Sequence, residues 1–452
     1  MARVTPARST GDTSSILRRV GTLMDLGLIV KIAGLLGLNA KTLFEKYKGL
    51  SESTTVQFEK EMLAGQLAAA ARVYQEGLHM SFLERFYDKT KLEGLGMSHV
   101  ELVVHDKKVL TGIALPISLK AQRLELGGST ESHILVDQVE PAKPSLQADE
   151  VAWIVSDIKR RDLKVWDQAM YRLMHVKIAN GQLSATFALD RFMRYRVGCG
   201  ALQDELVRAL VGSNFDVSKL IAEPLKWLPF RMKLLPDVAS LANLPGRLCV
   251  GGIQACIAIR RPKPWNDFVI PVQRRSSVTS EGQGLMSPIP CAFHQPCVDP
   301  LLELEFRKTF LREVFEELFG GEEAIGTTRH LQPDWYLAAS EPIKWITDNE
   351  DDVALSFTDC CFNAISGNYE VVVTCVIEST SFWKKYATSI KANWEVSDSL
   401  SPLVSTRETK LLERLLGSNE VTGSGKIALA RTLQFLSESD PVRVKAPEFS
   451  IV

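Results

Sequence analysis

The chain has 452 residues, room for roughly two to four domains and an ample buried core. With 53 Lys and Arg against 54 Asp and Glu, the formal net charge of −1 gives no global attraction to nucleic acid or membrane, so any such binding has to come from a local patch. The eight cysteines all lie between Cys199 and Cys375 at uneven spacings, which excludes the dense disulfide framework of a small secreted domain and suits reduced thiols in a cytoplasm.

Residues 20–38 are the one long apolar stretch near the start, but Asp25, Lys31 and several glycines interrupt it, and no membrane span is expected. Arg18 and Arg19 precede it with no small-residue cleavage site behind, so a targeting role is not expected either. The first fifty residues carry eight basic and three acidic side chains. Within them, residues 29–47 read as two short helices. Ile32, Ala33 and Leu36 fall at helical spacing, Gly37 can take the positive φ that ends a helix, and Asn39 can cap a second helix from Ala40. Leu43, Phe44 and Tyr47 give that second helix an apolar side and leave Lys41, Thr42, Glu45 and Lys46 outward. Ala33, the glycine four residues later and Leu43 six beyond resemble a helix-turn-helix. The resemblance implies Lys41, Thr42 and Lys46 at a major groove, with Arg18 and Arg19 on phosphate. A hairpin packed on its neighbours with a solvated basic face is the other reading of residues 1–50.

A long alanine-rich helix over 56–76 and a shorter one over 81–88 come next. The period then changes, and 99–106, 107–115 and 121–126 read as strands until Gly127-Gly128 closes an expected 51–128 segment. From 129 to 240 the pattern is α+β. Residues 134–139 and 151–158 read as strands, Asn180-Gly181 as the turn of a hairpin between 171–179 and 182–189, and 192–210 as helix.

Over 245–440 strands are expected at 247–261, 267–276, 357–364 and 370–379, with a closing helix around 427–436 and a tail at 441–452. Between the second and third strands stands Arg312-Glu313-Val314-Phe315-Glu316-Glu317, an arginine and three carboxylates on a helix whose Leu311, Val314, Phe315 and Leu318 can face a core. Three like charges repel unless a cation neutralises them. The motif and the order of strands around it resemble the Nudix superfamily, whose box runs glycine, five residues, glutamate, seven residues, then Arg-Glu-apolar-any-Glu-Glu-any-Gly. That resemblance implies an α+β, multidomain protein ending in an α/β/α sandwich with a mixed sheet. It further implies Mg²⁺ held by Glu313, Glu316 and Glu317, an Arg312 that braces the preceding loop, and hydrolysis of a nucleoside diphosphate linked to another group.

The box departs from the pattern at three positions. Leu304 stands where the upstream glutamate belongs, with Glu303 and Glu305 on either side; Val298 stands at the first glycine; and Phe319 stands at the last, with Gly320 one later. Glu305 falls at four-residue steps from Glu313 and Glu317 and is a fourth candidate ligand. Cys291, His294 and Cys297, with Cys360 or Cys361, have the chemistry of a Zn²⁺ site, but Pro296 and the wide spacing favour buried thiols instead. His294 and Gln295 are then candidates for ligand contact from the loop, and Arg274 and Arg275 for contact with phosphate. Gly423-Ser424-Gly425-Lys426 lacks the spacing of a phosphate loop and starts the last helix.

Three functions compete on these residues. One is a Mg²⁺-dependent hydrolase of nucleotides or other phosphorylated metabolites. Another is a ligand-sensing regulator that binds DNA through residues 1–50 and does not cleave, and the third is a non-enzymatic scaffold. No membrane partner is expected, and the first two share a phosphorylated small molecule as ligand.

Overall fold

A computed structural model of the chain describes residues 27–51, 56–114, 131–134, 146–161, 163, 167–179, 182–276, 279, 282–321, 331–391 and 403–452. The fold is α+β and multidomain, built around a large mixed sheet. Among the described residues no helix is long and apolar enough to cross a membrane.

The first helix, α1, covers residues 27–36 and ends at Gly37 with φ +67°, and α2 follows over Ala40–Ser51. The amide of Thr42 donates to Asn39 Oδ1 at 3.0 Å, so Asn39 caps α2. Ile29, Ile32, Ala33, Leu36, Leu43 and Tyr47 are buried, and Lys41, Thr42 and Lys46 are exposed. Next come α3 (Val56–Gln75), α4 (Leu78–Phe86) and α5 (Lys89–Gly94), then strands β1 (Ser98–Val104) and β2 (Lys107–Ala114) and the short β3 (Glu131–Ile134).

Residues 151–158, read as a strand from the sequence, lie inside helix α6 (Ala148–Arg160). Val151, Ile154, Val155 and Ile158 are buried at steps of three and four, which is the helical period, and the Gln147 amide donates to Glu150 Oε2 at 2.8 Å to close the first turn. The apolar run was too short to distinguish the two periods. Helix α6 packs against α2, with Lys159 Nζ 5.8 Å from the centre of the Tyr47 ring.

Strands β4 (Ala169–Ala179) and β5 (Gln182–Arg191) pair antiparallel with Ala179 opposite Gln182, leaving two residues for the turn; Asn180 and Gly181 lie outside the described residues. With β3 they form a three-stranded sheet. The following segment is helical: α7 (Phe192–Arg196), α8 (Leu202–Gly212), α9 (Val217–Ala222), α10 (Pro224–Trp227), α11 (Pro229–Leu234) and α12 (Val238–Ala242).

Then come β6 (Gly251–Arg260), β7 (Phe268–Arg274), β8 (Met286–Pro288), β9 (Cys291–Phe293) and α13 (Phe306–Glu313). These are followed by α14 (Trp335–Ala339), α15 (Glu341–Asp348), β10 (Val353–Phe362), β11 (Tyr369–Ile377), α16 (Thr380–Tyr386), β12 (Leu403–Ser405), α17 (Thr409–Gly417), α18 (Gly423–Ser439) and β13 (Phe449–Ile451).

The large sheet has the order β12-β7-β6-β11-β10-β2-β1-β13, with β8 on β7 and β9 on β6. Only β6 and β11 run parallel among its pairs of described strands. It draws on the expected 51–128 segment for β1 and β2 and on the expected tail for β13. Helices cover both faces. Ile253, Ala255, Ile257 and Ile259 of β6 join a core with Phe306 and Phe310 of α13 and Phe382 of α16, while Cys256 and Ala258 join one with Ile427, Ala428 and Leu433 of α18. A strand buried on both faces reads as a continuous apolar run, as β6 does.

Gly251 and Gly252 begin β6 where backbones crowd. A Cβ at either would stand 1.8 Å from a carbonyl oxygen, that of Tyr369 or that of Ala292.

Lys426 lies in the first turn of α18 with no exposed surface and, among the described residues, no hydrogen-bond partner for Nζ. Burial, reinforced by the charge of Lys107, pushes its amine down to about 7. An unfolded chain restores the ordinary 10.5, so stability falls as pH drops from there to about 7 and levels off below. Lys426→Met is expected to raise stability by a few kcal/mol at neutral pH and to flatten the profile between about 7 and 10.5, as read by urea denaturation. A profile that the substitution leaves unchanged would contradict a neutral buried amine.

Candidate functional site

Two places gather residues singled out in the sequence, and Cys291 of strand β9 hydrogen-bonds to a member of each. The first is the carboxylate helix. Glu305 is the exposed N-cap of α13 and stands apart from the acids further along. Beyond Glu313 the helix loosens into a π turn over Val314–Leu318, which accommodates one residue more than an α turn, and it closes at Gly320 with φ +63°. Phe319 therefore stands where an uninterrupted α-helix would bring its terminal glycine.

Arg312, Glu313, Glu316 and Glu317 are all buried. Arg312 donates to Glu313 Oε1 from Nη2 at 2.7 Å and Nε at 3.3 Å, and its Nε is 3.9 Å from Glu316 Oε1. Its Nη1 donates to the Gln295 carbonyl at 2.9 Å and to Cys297 Sγ at 3.0 Å, tying the helix to the loop after β9. Glu317 accepts from Gln273 Nε2 at 2.9 Å on one oxygen and from the Cys291 amide at 3.1 Å on the other. Glu303 Oε2 accepts the amides of Cys297, Val298 and Asp299 at 2.7, 2.8 and 3.2 Å. These side chains join strand β7, strand β9, the following loop and the helix.

Among the described residues no three His, Cys, Asp or Glu side chains form a group that could hold a metal ion. Arg312 already supplies a positive charge to Glu313 and Glu316, and both oxygens of Glu317 carry protein N–H donors.

His294 is fully buried, with Nδ1 2.7 Å from Thr309 Oγ1 and its ring centre 4.3 Å from that of Tyr171 and 4.5 Å from that of Phe306. Burial, with help from the charge of Arg312, pushes its pKa down to about 3 and keeps the ring neutral. Gln295 is half-buried and contributes its carbonyl to Arg312. Burial pushes the Cys297 and Cys360 thiols up to about 12 and Cys361 upward as well.

The second place is a cavity of about 340 Å³ between α3, the end of α6, α8 and the end of β7. Arg274 and Arg275 reach it from β7, and Arg161 and Arg208 join them from α6 and α8. Asp157, Asp204 and Glu420 also line it. Arg161 Nη1 is 2.6 Å from Asp204 Oδ1 and 3.3 Å from Asp157 Oδ2. Asp157 and Asp204 are engaged from behind by Arg160 and by Arg196 Nη2, the latter at 2.8 Å. Arg208 stacks 3.3 Å over the Trp153 ring, and burial holds its pKa down to about 10. Arg274 Nη1 donates to the Gly284 carbonyl at 2.6 Å and stands 3.8 Å from Glu420, while Arg275 Nη1 donates to the Cys291 carbonyl at 3.3 Å.

Arg274 and Arg275 thus share a cavity, whereas Glu305, Glu313, Glu316, Glu317, His294, Gln295 and Arg312 lie outside its lining. No local sequence pattern marks Arg161, Arg208, Tyr74 or Gln203 as site residues. They are far from Arg274 along the chain, and only packing of α3, α6 and α8 assembles them. On the remote hairpin, Lys41, Thr42 and Lys46 share the exposed side of α2; Arg18 and Arg19 lie outside the described residues. Comparison of the chain with protein-family models and with curated proteins finds no match.

Removing one member of the buried network should expose its structural role. Arg312→Met is expected to cost about 3–5 kcal/mol, because Glu313 and Glu316 stay buried without their counter-charge. Glu317→Ala is expected to cost about 1–3 kcal/mol for each N–H left unsatisfied. Equilibrium urea unfolding measures both, and wild-type midpoints in the two variants would refute the bracing role.

Proposed function

We propose that the protein is a cytoplasmic binder of a phosphorylated small molecule, taken up in the arginine-lined cavity. The resemblance of its box to the Nudix superfamily adds the expectation of a nucleotide. The observation that carries this reading is the excess of positive charge: Arg161, Arg208, Arg274 and Arg275 line the cavity against three acids, and Arg160 and Arg196 offset two of those acids from behind. A planar guanidinium offers paired N–H donors that match phosphate oxygens. The volume of about 340 Å³ lies within the range of small-molecule sites.

The same resemblance implies Mg²⁺-dependent hydrolysis on Glu313, Glu316 and Glu317. Arg312 and Gln273 already engage those side chains, which supports binding without cleavage as the first reading to test. Calorimetric titration with nucleoside mono- and diphosphates is expected to give binding that weakens about tenfold or more in Arg161→Gln and in Arg275→Gln, with no Mg²⁺-dependent release of phosphate. Binding indifferent to both substitutions ends this reading. Phosphate release abolished by Glu316→Gln with Glu317→Gln would make the protein a hydrolase instead.

A second reading adds duplex DNA as partner of the basic hairpin, so that the protein acts as a ligand-sensing regulator. Two observations support it: Lys41, Thr42 and Lys46 are exposed together on α2, and α2 packs on α6, the helix that contributes Asp157 to the cavity. Lys41→Glu with Lys46→Glu is expected to weaken duplex DNA retention and to lower its salt dependence by about two phosphate contacts. Retention that is unchanged, or absent in the wild type, removes DNA from the reading and leaves the ligand cavity standing.

A further inference from the structure

A second cavity, of about 100 Å³, adjoins the first and shares Tyr74, Gln203, Arg275 and Leu285 with it. At this common wall Gln203 Nε2 donates to the Tyr74 hydroxyl, and Arg275 Nη1 donates to the Cys291 carbonyl. Several glycines line it where backbones approach closely. Gly112, Gly251, Gly252 and Gly423 contribute no side chain, and three of them are fixed as glycine by carbonyl oxygens within 2 Å of where a Cβ would be. The side chains that do line it include Leu83, Phe293, Ile365 and Val421.

Several polar groups on the wall are already engaged within the protein. Thr111 Oγ1 donates to the Val100 carbonyl at 2.6 Å, Asn363 Oδ1 accepts the Ile365 amide at 3.0 Å, and Asn368 Nδ2 donates to the Tyr195 hydroxyl at 2.9 Å. His79 is buried and neutral, its pKa pushed down to about 3 by burial and by the charge of Lys426. Arg161, Arg208 and Arg274 line only the larger cavity, so a phosphate is favoured there.

We infer that the ligand is a phosphate ester whose compact apolar or aromatic group occupies the smaller cavity while its phosphate occupies the arginine-lined one. This rests on the phosphate-binding reading above and adds the chemistry of the other end. A cavity of about 150 Å³ lined by Leu, Ile and Phe holds a benzene ring, so one ring or a branched aliphatic group is the upper scale of occupant here. Gln203 and Arg275, common to both walls, flank the bond between the two halves of such a ligand.

Phenyl phosphate and inorganic phosphate are the probes, titrated calorimetrically into the full chain. Phenyl phosphate is expected to bind about tenfold tighter or more, the ring adding its burial to the phosphate contact. Val421→Phe fills the smaller cavity and is expected to abolish that advantage while leaving inorganic phosphate unaffected; Leu83→Phe does the same from the α4 side and serves if the first variant does not fold. Arg161→Gln is expected to weaken both probes and preserve their ratio. Equal affinity for the two probes overturns the inference and leaves the arginine site intact, as does an advantage that both filling variants retain. Failure of both probes to bind overturns the inference and the arginine site together.

Discussion

A guanidinium taken out of water has to be neutralised where it stands, and in this molecule Arg312 imposes that demand on everything around it. Its charge is met by Glu313 and approached by Glu316, and its remaining donors fall on the Gln295 carbonyl and the Cys297 sulfur. Burial works against the charge, yet Cys297, Glu313 and Glu316 hold the guanidinium protonated well above its ordinary range. The helix, the loop after β9 and the edge of the sheet are consequently one unit. An arrangement of this kind stabilises little compared with apolar packing, but losing one partner is expensive, so it fixes geometry more than it adds stability.

Strand β9 is where that unit meets the arginine-lined cavity. The Cys291 amide donates to Glu317, and the Cys291 carbonyl accepts from Arg275. Gly252 permits this, because β9 lies so close to β6 that no side chain fits at that position. A displacement of Arg275 by a ligand would therefore act on the same peptide segment that anchors the carboxylate helix. On the opposite wall Asp204 is shared by Arg161 and Arg196, and α7, which carries Arg196, also sends Arg194 Nη2 to the Leu35 carbonyl of α1 at 3.2 Å. The basic hairpin thus rests on two elements, α6 and α7, whose arginines converge on one cavity aspartate.

What could be read from the sequence was what short range determines. Gly37 and Asn39 mark the turn between α1 and α2 because a left-handed residue and a cap are local chemistry, and the register of β4 and β5 leaves two residues for the expected turn at 180–181. The doubly buried β6 and β7 were legible as continuous apolar runs. Residues 151–158 were not, since a mostly apolar stretch of eight residues satisfies either period until its capping partner Gln147 is taken into account. Nor could the sequence reveal that β1, β2 and β13 extend the sheet, or that Tyr74, Arg161, Gln203 and Arg275 share a wall, because those contacts span large separations along the chain and leave no local pattern. Composition located the acids of the motif; it could not tell whether their counter-charge is a metal or an arginine one residue away.

The offsets in the box have a physical counterpart in the way the helix is wound. One extra residue enters at the π turn over Val314–Leu318, and the left-handed closing residue accordingly falls on Gly320, after Phe319. Phe319 then packs its ring edge-on against Phe382 of α16, a contact a glycine could not make. Upstream, Leu304 is buried in the core while Glu303 turns to the amides of 297–299, so a carboxylate one position earlier secures the loop that a glycine turn would otherwise shape. Each departure from the pattern is thus compensated by a packing or hydrogen-bonding contact. That is the expected signature of a segment held for its shape, in which the acids brace the helix, the loop and strand β9 against one another.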